Sequence, residues 1–413
     1  MDYLTSVTKS LLDSSFADGK AISYSTGGGS AQNVGLFGSL GDGARIKNLT
    51  IASGDIQGYF NVGAFAGYSL DDVQISDCHN FAAVTAYDGT VGGITGISDA
   101  ASGSLLNIIE RCTNSGAILS NSEEAGGIIG YSKSVLTDCI NLGTVTIRRF
   151  NACLADAIAM EEAGGIAGTN QGNMTYCANF GMVSCDGSKA GGLTGFSSSG
   201  NKRGSIVGCY NAATVYAADK TKCGALVGEN YKIMNPTEVQ SDCVYDSQYS
   251  GCLACDNADA GFAAPLSTAD LISGEAYLPA AGWNFKAGLY PVNKALAGNA
   301  AVQAACASYV LMPEDQTVVD FRRGTLGSAM PLTATVSGTS VISVSGNDIA
   351  ADASATDIAK AAVTLKAGDY SRLVSLQYLP NVLTGEGTAQ SPFLVASAAD
   401  FLKVSDYMLR GGT

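Results

Sequence analysis

The stretch that decides the fold is AGGIAGTNQGNMTYCANFGMV, residues 163–183. It joins a six-residue glycine box, Ala163-Gly-Gly-Ile-Ala-Gly168, to a Cys-x-Asn box formed by Cys177 and Asn179. Similar glycine boxes recur along the chain, with steps of 29, 34, 38, 27 and 33 residues between their first positions. Self-similarity at such a period is the signature of a solenoid or a related repeat architecture. The boxes begin at Val62, Val91, Ala125, Ala163, Ala190 and Cys223.

A Cys-x-Asn box follows each of the first five glycine boxes, and apolar residues stand at fixed offsets around it. An Ile, Leu or Met precedes each Cys by three residues, and a Val or Ile follows it by six. The boxes are Cys78-x-Asn80, Cys112-x-Asn114, Cys139-x-Asn141, Cys177-x-Asn179 and Cys209-x-Asn211.

The repeat predicts an all-β fold. Each copy holds three short apolar stretches separated by Gly, Asn or Ser, which indicates three short strands and three turns, and the density of glycine excludes helices. One copy cannot bury its apolar face alone, but copies stacked at the strand spacing of about 4.8 Å form a continuous core. The sequence therefore predicts a parallel β-helix. Its Cys column should be an inward ladder of free thiols, and its Asn column should link the side-chain amides of successive coils.

Composition limits the function further. The 413 residues carry 23 Lys and Arg against 37 Asp and Glu, a net charge of −14, so a nucleic-acid backbone is not expected as a partner. One His and one Trp leave little room for His-based catalysis, and we expect no cofactor. The sequence contains no run of 18 or more apolar residues, so we expect no membrane span. The first residues lack the features of a signal peptide, so the chain either stays inside the cell or is a piece of a longer exported protein.

Outside the repeats, the sequence predicts four further segments. Residues 1–34 are expected to be an incomplete N-terminal cap or first coil before the repeats of 35–228, and residues 229–300 a C-terminal cap of the solenoid. Short alternating runs over 301–382 predict a β-sandwich. Residues 383–413, with Ser397 and Asp400 as a helix-capping pair, are expected to be a linker and the start of a further repeat module.

The repeats also resemble a known family. The strings GGIAGTNQGNMTYCANFGMV (164–183) and AGGIIGYSKSVLTDCINLGTV (125–145) are similar to the GLUG-type repeats of bacterial surface and secreted proteins. The stretch from Val336 to Gly346, with Ala362 to Leu376, resembles bacterial Ig-like spacer domains. This resemblance implies a parallel β-helix followed by an Ig-like β-sandwich, in an extracellular or cell-surface setting, and it implies no particular ligand.

Four carboxylates are the strongest candidates for chemistry. Glu123 and Glu124 precede one glycine box, and Glu161 and Glu162 precede the next. Stacked coils would bring equivalent carboxylates to about 5 Å, near the separation in retaining glycosidases. Because Lys189 continues the same column, we expect a solvated column of surface charge in which Glu162 meets Lys189. A Ca²⁺ site and a catalytic dyad are the alternatives.

Two further segments are candidates for binding. The interval after Val145 is longer than in the other repeats, and the insertion carries Arg148, Arg149 and Phe150, which suggests a partner-binding loop. The C-terminal segment carries Phe393, Leu394, Phe401 and Leu402, which need burial. If that segment starts a β-helix, one protomer's tail could add to the open first coil of the next, giving head-to-tail assembly.

Disulfides are expected only outside the ladder. We expect any disulfides among Cys153, Cys185, Cys223, Cys252, Cys255 and Cys306. If the protein is exported, we also expect a local bridge among Cys243, Cys252 and Cys255. The function expected from all these observations is a non-catalytic structural or adhesion module of a bacterial surface protein, whose partner is a host or bacterial surface protein or a glycan. The alternative is a carbohydrate-active β-helix enzyme that uses the Glu column.

Overall fold

A computed structural model describes residues 22–23, 33–41, 43–100, 107–148, 161–197, 205–230, 240–255, 263–311, 323–327, 330–352, 354–355, 359–367, 370–378, 392, 394–397 and 400. The chain divides into two compact units, residues 1–306 and 307–413. Each unit is described by itself.

The first unit is built from short parallel strands that stack in register from coil to coil. The first and second sheets hold the two halves of each glycine box. The first sheet contains Asn33–Val34, Asn61–Gly63, Val91–Gly92, Glu124–Gly126, Glu162–Gly164, Lys189–Gly191 and Cys223–Gly224. The second sheet contains Phe37–Leu40, Ala66–Ser69, Thr95–Ser98, Ile129–Ser132, Ala167–Asn170, Thr194–Ser197 and Val227–Asn230.

Three more sheets complete each coil. The third sheet contains Arg45–Lys47, Gln74–Ser76, Ile108–Glu110, Val135–Thr137, Asn173–Thr175, Ile206–Val207 and Gln240–Ser241. The fourth sheet contains Thr50–Ile51, His79–Asn80, Thr113–Asn114, Ile140–Asn141, Ala178–Asn179, Tyr210–Asn211, Cys243–Asp246 and Ala263–Leu266. The fifth sheet contains Ile22–Ser23, Asp55–Gly58, Ala83–Ala86, Ile118–Ser120, Val145–Ile147, Val183–Cys185 and Val215–Ala217. These stacked coils confirm the predicted parallel β-helix.

The prediction of three strands per coil is wrong, because a full coil has five. Two of the predicted strands are divided by a sharp bend. One bend falls in the middle of the glycine box, and the other falls at the residue before each ladder Cys, which adopts a left-handed conformation. That residue is Asp77 (φ 56°), Arg111 (φ 51°), Asp138 (φ 55°), Tyr176 (φ 54°) or Gly208 (φ 62°) in successive coils. Residues with φ above zero are uncommon outside glycine, so this column fixes the corner between the third and fourth sheets.

The asparagine ladder forms as predicted. Each side-chain Nδ2 donates to the Oδ1 of the next Asn, over 2.8 Å from Asn80 to Asn114 and 2.9 Å from Asn114 to Asn141. The bonds continue to Asn179 at 2.8 Å and to Asn211 at 2.9 Å. Each of these five amides also donates to the carbonyl oxygen two residues later and accepts from the backbone N–H at that position. The buried amides are thus fully paired, as buried polar groups need to be.

The cysteine ladder is also buried, and it is one rung longer than the sequence indicated. Cys243 follows Cys209 in the fourth sheet and is 2% exposed, whereas the five predicted ladder thiols are 0% exposed. Each thiol donates to a carbonyl of its own coil and to one of the preceding coil, as Cys139 does to Thr137 and Ile109, both at 3.4 Å. Within the described part of the chain, none of the eleven cysteines takes part in a disulfide. Cys153 lies outside the described residues.

Residues 229–300 do more than cap the solenoid. The strands Gln240–Ser241, Cys243–Asp246 and Ala263–Leu266 extend its sheets, so the coils continue past the predicted end of the repeats. The following segment covers the outside of the fourth sheet. The Trp283 indole N–H donates to the Gly208 carbonyl at 2.7 Å, and the Tyr210 hydroxyl donates to the Pro291 carbonyl at 2.7 Å. Because no repeat signal marks this segment, the sequence did not predict a flank.

The described helices are all short. They are α1 (Ser247–Ser250), α2 (Thr268–Leu271), α3 (Ala300–Cys306) and a 3₁₀ turn at Lys220–Lys222. A capping box precedes α2, because Asp270 N–H donates to Ser267 Oγ and Ser267 N–H donates to the Asp270 carboxylate. No helix in the described residues has the length and apolarity to cross a membrane.

The second unit has two antiparallel sheets in its described residues. One joins Tyr309–Leu311, Arg323–Gly327, Ile342–Ser345 and Asp348–Ala351, and the other joins Thr333–Ser337, Ala359–Ala367 and Tyr370–Tyr378. Buried Val363, Leu365, Val374 and Leu376 lie on the longest strands. Residues 312–322, which belong to the predicted β-sandwich, lie outside the described residues. The buried Arg372 guanidinium donates to the Ser308 carbonyl at 2.7 Å.

The fold predicts that Gly127, the second glycine of its box, cannot carry a side chain without displacing its neighbours. A Cβ atom at Gly127 would overlap with the Asn141 side chain and the Gly165 carbonyl. We expect Gly127→Ala to lower the free energy of unfolding by about 3 kcal/mol, as overpacking of a tight interior does. Gly298→Ala is the control, because a Cβ atom there has nothing within 4 Å. Urea unfolding followed by circular dichroism measures both, and equal stability of the two variants would contradict the interlocked packing.

Candidate functional site

The glycine boxes bring the first and second sheets into direct contact on the outside of each coil. A Cβ atom at Gly130 would overlap with Thr90, and one at Gly168 would meet the Glu162 carbonyl oxygen 2.8 Å away. Only glycine fits at such a close approach. Two columns of outward side chains meet there, and we call this region the outer corner. The first column is Asn33, Asn61, Thr90, Glu124, Glu162, Lys189 and Lys222, and the second is Ser39, Tyr68, Ile97, Tyr131, Thr169, Phe196 and Glu229.

Glu162 and Lys189 form a buried ion pair in the outer corner. Lys189 Nζ lies 2.7 Å from Glu162 Oε1, and the two residues are 8% and 6% exposed, respectively. The same Nζ lies 3.3 Å from Glu229 Oε2 and 4.3 Å from the centre of the Phe196 ring. Burial by itself would lower the pKa of Lys189, but Glu162 and Glu229 raise it. The ammonium group therefore keeps its charge, and it offsets the nearby carboxylates.

Glu124 stacks on Glu162 in register, and among the described residues no cation is paired with its carboxylate. Its carboxylate accepts hydrogen bonds from the hydroxyls of Thr90 and Thr169, the latter at 3.5 Å. The Thr169 hydroxyl also bonds to Glu162. The pKa of Glu124 is raised to about 7, chiefly by burial and also by the charge of Glu162, while the Thr90 hydrogen bond opposes the shift. Near neutral pH, the Glu124 carboxyl is thus protonated about half of the time.

The sequence correctly predicts which residues share this column, but it does not predict their burial. Glu124, Glu162 and Lys189 stand in one column, as the spacing predicts. The expectation of a solvated surface is wrong for Glu162 and Lys189, because the second sheet folds over the column and buries both. The residues that precede Glu124 and Glu162 are less buried than Glu162, since Glu123 is exposed and Glu161 is half-buried. The bend inside the glycine box, which decides this burial, is a tertiary feature.

The outer corner is arranged as a closed polar network. A Ca²⁺ ion would need several oxygen ligands around it, and the place next to Glu162 is taken by the Lys189 ammonium. Within the described residues, no group of three or more His, Cys, Asp or Glu side chains could hold a metal ion. A glycosidase would need access for a sugar between Glu124 and Glu162, where the Thr169 hydroxyl bonds to both carboxylates. The raised pKa of Glu124 is the single feature that resembles a general acid.

Most of the predicted binding residues lie outside the described part of the chain. Arg148 is described and exposed, and its backbone N–H extends the fifth sheet by donating to the Ser120 carbonyl at 2.9 Å. Of the C-terminal assembly candidates, Leu394 is described and 56% exposed. The remaining candidates, which are Arg149, Phe150, Phe393, Phe401 and Leu402, lie outside the described residues.

An exposed aromatic cluster, which the sequence did not predict, lies at the end of the fifth sheet. Tyr59 and Tyr87 occupy equivalent positions in adjacent coils and are 47% and 50% exposed. Phe60 packs edge-on against Tyr59 with 4.9 Å between ring centres, and the Tyr87 hydroxyl donates to Gln57 Oε1 at 2.6 Å. We call these side chains the aromatic turn cluster. They stand in turns whose length and residues vary between repeats, so the alignment of the boxes gave no signal for them.

Comparison with known proteins finds no matching family model, no matching curated protein and no matching solved structure.

The raised pKa of Glu124 predicts a dependence of stability on pH. Its carboxyl holds the proton more tightly in the folded chain than its ordinary pKa of 4.5 allows. This contribution to stability is fully present below about pH 4.5 and is lost as the pH rises through about 7. Glu124→Gln imitates the neutral acid, so we expect wild type to lose about 2 kcal/mol relative to this variant between pH 4.5 and pH 8.

Urea unfolding of both proteins across this pH range measures the difference. Glu275→Gln removes an exposed carboxylate and is the matched control, whose stability should follow wild type at every pH. Parallel curves for wild type and Glu124→Gln would show that the carboxyl titrates normally.

Proposed function

We propose that this chain is a non-catalytic structural and adhesion module of a bacterial surface protein. The observation that carries the proposal is the continuous ladder of paired asparagines, which links five successive coils into one stiff element. Stacked repeats of this kind depend on their nearest neighbours for stability and present long side surfaces. Such a rod suits the role of a spacer or binding platform.

The chemistry of the outer corner favours this function over catalysis. Its carboxylates have partners within the protein, since Glu162 binds Lys189 and Glu124 accepts from Thr90 and Thr169. Buried ion pairs and paired carboxylates of this kind shift pKa values in structural networks as well as in active sites. We therefore assign the column to holding the two sheets together.

The extracellular setting rests on the resemblance of the repeats to GLUG-type repeats and of the second unit to Ig-like spacers. The two antiparallel sheets of the second unit support the β-sandwich part of this assignment. The ladder thiols are compatible with an oxidising environment, because the chain buries them completely and shields them from oxidants.

The aromatic turn cluster is the surface we propose for adhesion. Exposed Tyr59 and Tyr87 combine flat apolar faces with hydroxyl groups, and Gln57 lies beside them. Tyr is enriched at recognition surfaces because it offers both properties in one rigid side chain. The expected partner is a glycan or a protein of a host or bacterial surface. The loop after Arg148 is the second candidate surface.

A carbohydrate-active enzyme is the second candidate function, and the neutral pKa of Glu124 is the observation that favours it. In that case, Glu124 would act as the acid and Glu162 as the second carboxylate. Such an enzyme would need both groups free to reach a glycosidic bond.

A panel of soluble polysaccharides separates the two functions. We expect no new reducing ends and no unsaturated products from pectin, chitin oligomers, mannan or hyaluronan, because the corner carboxylates are engaged inside the protein. Turnover by wild type that Glu124→Gln or Glu162→Gln abolishes would establish the enzyme instead. For adhesion, the same glycans are immobilised, and the Tyr59→Ala/Tyr87→Ala double variant should lose at least tenfold in binding. Tyr216→Ala, which alters another exposed tyrosine, is the control.

Head-to-tail assembly is the remaining part of the proposal. Leu394 and Val395 are 56% and 48% exposed, and burial against another copy would remove this apolar surface from water. We expect the full chain to form larger species as its concentration rises, and a chain ended after Pro380 to remain monomeric. Light scattering coupled to gel filtration measures both. If the two chains have the same mass at high concentration, the tail does not mediate assembly.

A further inference from the structure

Cys252 lies beside Cys223 of the preceding coil. Residues 251–255 continue the stack of glycine boxes, because Ala225 N–H donates to the Leu253 carbonyl at 2.6 Å and Leu226 N–H donates to the Ala254 carbonyl at 3.0 Å. A parallel bridge between Val227 and Cys255 continues the pairing beyond the bend. The Ala225–Leu253 bond places Ala225 opposite Ala254, and counting back two residues on both strands places Cys252 opposite Cys223.

This placement satisfies the geometry of a disulfide. Neighbouring strands lie about 4.8 Å apart, so residues that oppose each other across them have a Cα–Cα separation of about 4.8 Å. Disulfides occur at Cα–Cα separations of about 4.4 to 6.8 Å. The pair therefore needs little movement of the backbone to form a bond.

The two cysteines differ in access and reactivity. Cys223 is 1% exposed and belongs to the core, whereas Cys252 is partly exposed. The neighbouring Cys252 thiol lowers the pKa of Cys223, and Lys220 adds to this effect against the opposing effect of burial, whereas the Cys223 thiol and burial raise the pKa of Cys252. An oxidant can thus reach Cys252, while Cys223 is the better nucleophile for a second step.

We propose that Cys223 and Cys252 are a modification site at which a disulfide-containing oxidant, such as oxidised glutathione, closes a covalent clasp between the last two coils. The Cys252 thiolate attacks the oxidant and forms a mixed disulfide, which releases one thiol. The Cys223 thiolate then attacks Cys252 Sγ, forms the intramolecular S–S bond and expels the second thiol. The two protein thiols lose two electrons and two protons in total, and the reagent disulfide gains them.

The clasp secures the end of the solenoid that the asparagine ladder does not reach. The ladder of paired amides ends at Asn211, and its position in the next coil is held by Tyr245. Among the described residues, the final coil lacks this amide link and is held by backbone bonds, by the flank and by contacts such as that of Cys243 Sγ with the Ile206 carbonyl. A bond between Cys223 and Cys252 closes a loop of 252 − 223 = 29 residues around this coil. Restricting such a loop in the unfolded chain stabilises the folded one.

The test treats the intact protein with oxidised glutathione, traps remaining thiols with an alkylating reagent under denaturing conditions, and counts them. We expect wild type to lose two of its 12 thiols. After trypsin, the peptide 223–232 should be linked to the peptide 233–286, and fragmentation should assign the bond to Cys252. The midpoint of thermal unfolding should rise by about 5 °C on oxidation.

Single variants separate the two steps. Cys223→Ser should accumulate one glutathione on Cys252, because the thiol that resolves the mixed disulfide is missing. Cys252→Ser should acquire no adduct at buried Cys223, and Cys306→Ser should form the clasp as wild type does. Circular dichroism confirms that each variant is folded, and Cys223→Ala replaces Cys223→Ser if that variant is not. Retention of all 12 thiols, or a bond from Cys252 to Cys255, would overturn the proposal.

Discussion

The stacking of asparagine side chains against glycine is the constraint on which the solenoid depends. Four of the five ladder amides pack against the second glycine of a box, as Asn141 does against Gly127 and Asn179 does against Gly165. A Cβ atom at these glycines would overlap with the amide, so glycine leaves room for the ladder bonds. The two boxes of the repeat therefore work as one unit, and this unit sets the register of all five sheets.

The same glycines determine the environment of the outer corner. Because Gly130 and Gly168 allow the second sheet to touch the first, side chains that would stand in solvent on a flat sheet become covered. Glu162 and Lys189 tolerate this burial as an ion pair, and Glu124 tolerates it by a shift of its pKa. A tight bend in the backbone thus converts a column of charge into a buried polar network that joins two sheets.

In a module of this kind, the repeated interior would provide stiffness and the exposed turns would provide recognition. The interior repeats the same contacts in every coil, whereas the exposed turns differ from coil to coil and carry groups such as Tyr59 and Tyr87. Variation in the turns changes the surface without disturbing the ladder, which is how solenoids accommodate new binding faces. The C-terminal end of the solenoid lacks such repetition, and the Cys223–Cys252 pair is the local device that we propose for it.

The sequence by itself determined the repeat, the parallel β-helix, both ladders and the pairing of Glu162 with Lys189, because fixed offsets between copies place equivalent residues above one another. It did not determine the five-strand coil or the burial of the outer corner. These depend on bends at Arg111 and within each glycine box, whose angles follow from packing in three dimensions. The sequence also did not predict that Cys243 belongs to the cysteine ladder or that Cys252 lies beside Cys223. Both lie where the spacing becomes irregular, and only the folded chain brings such residues into register.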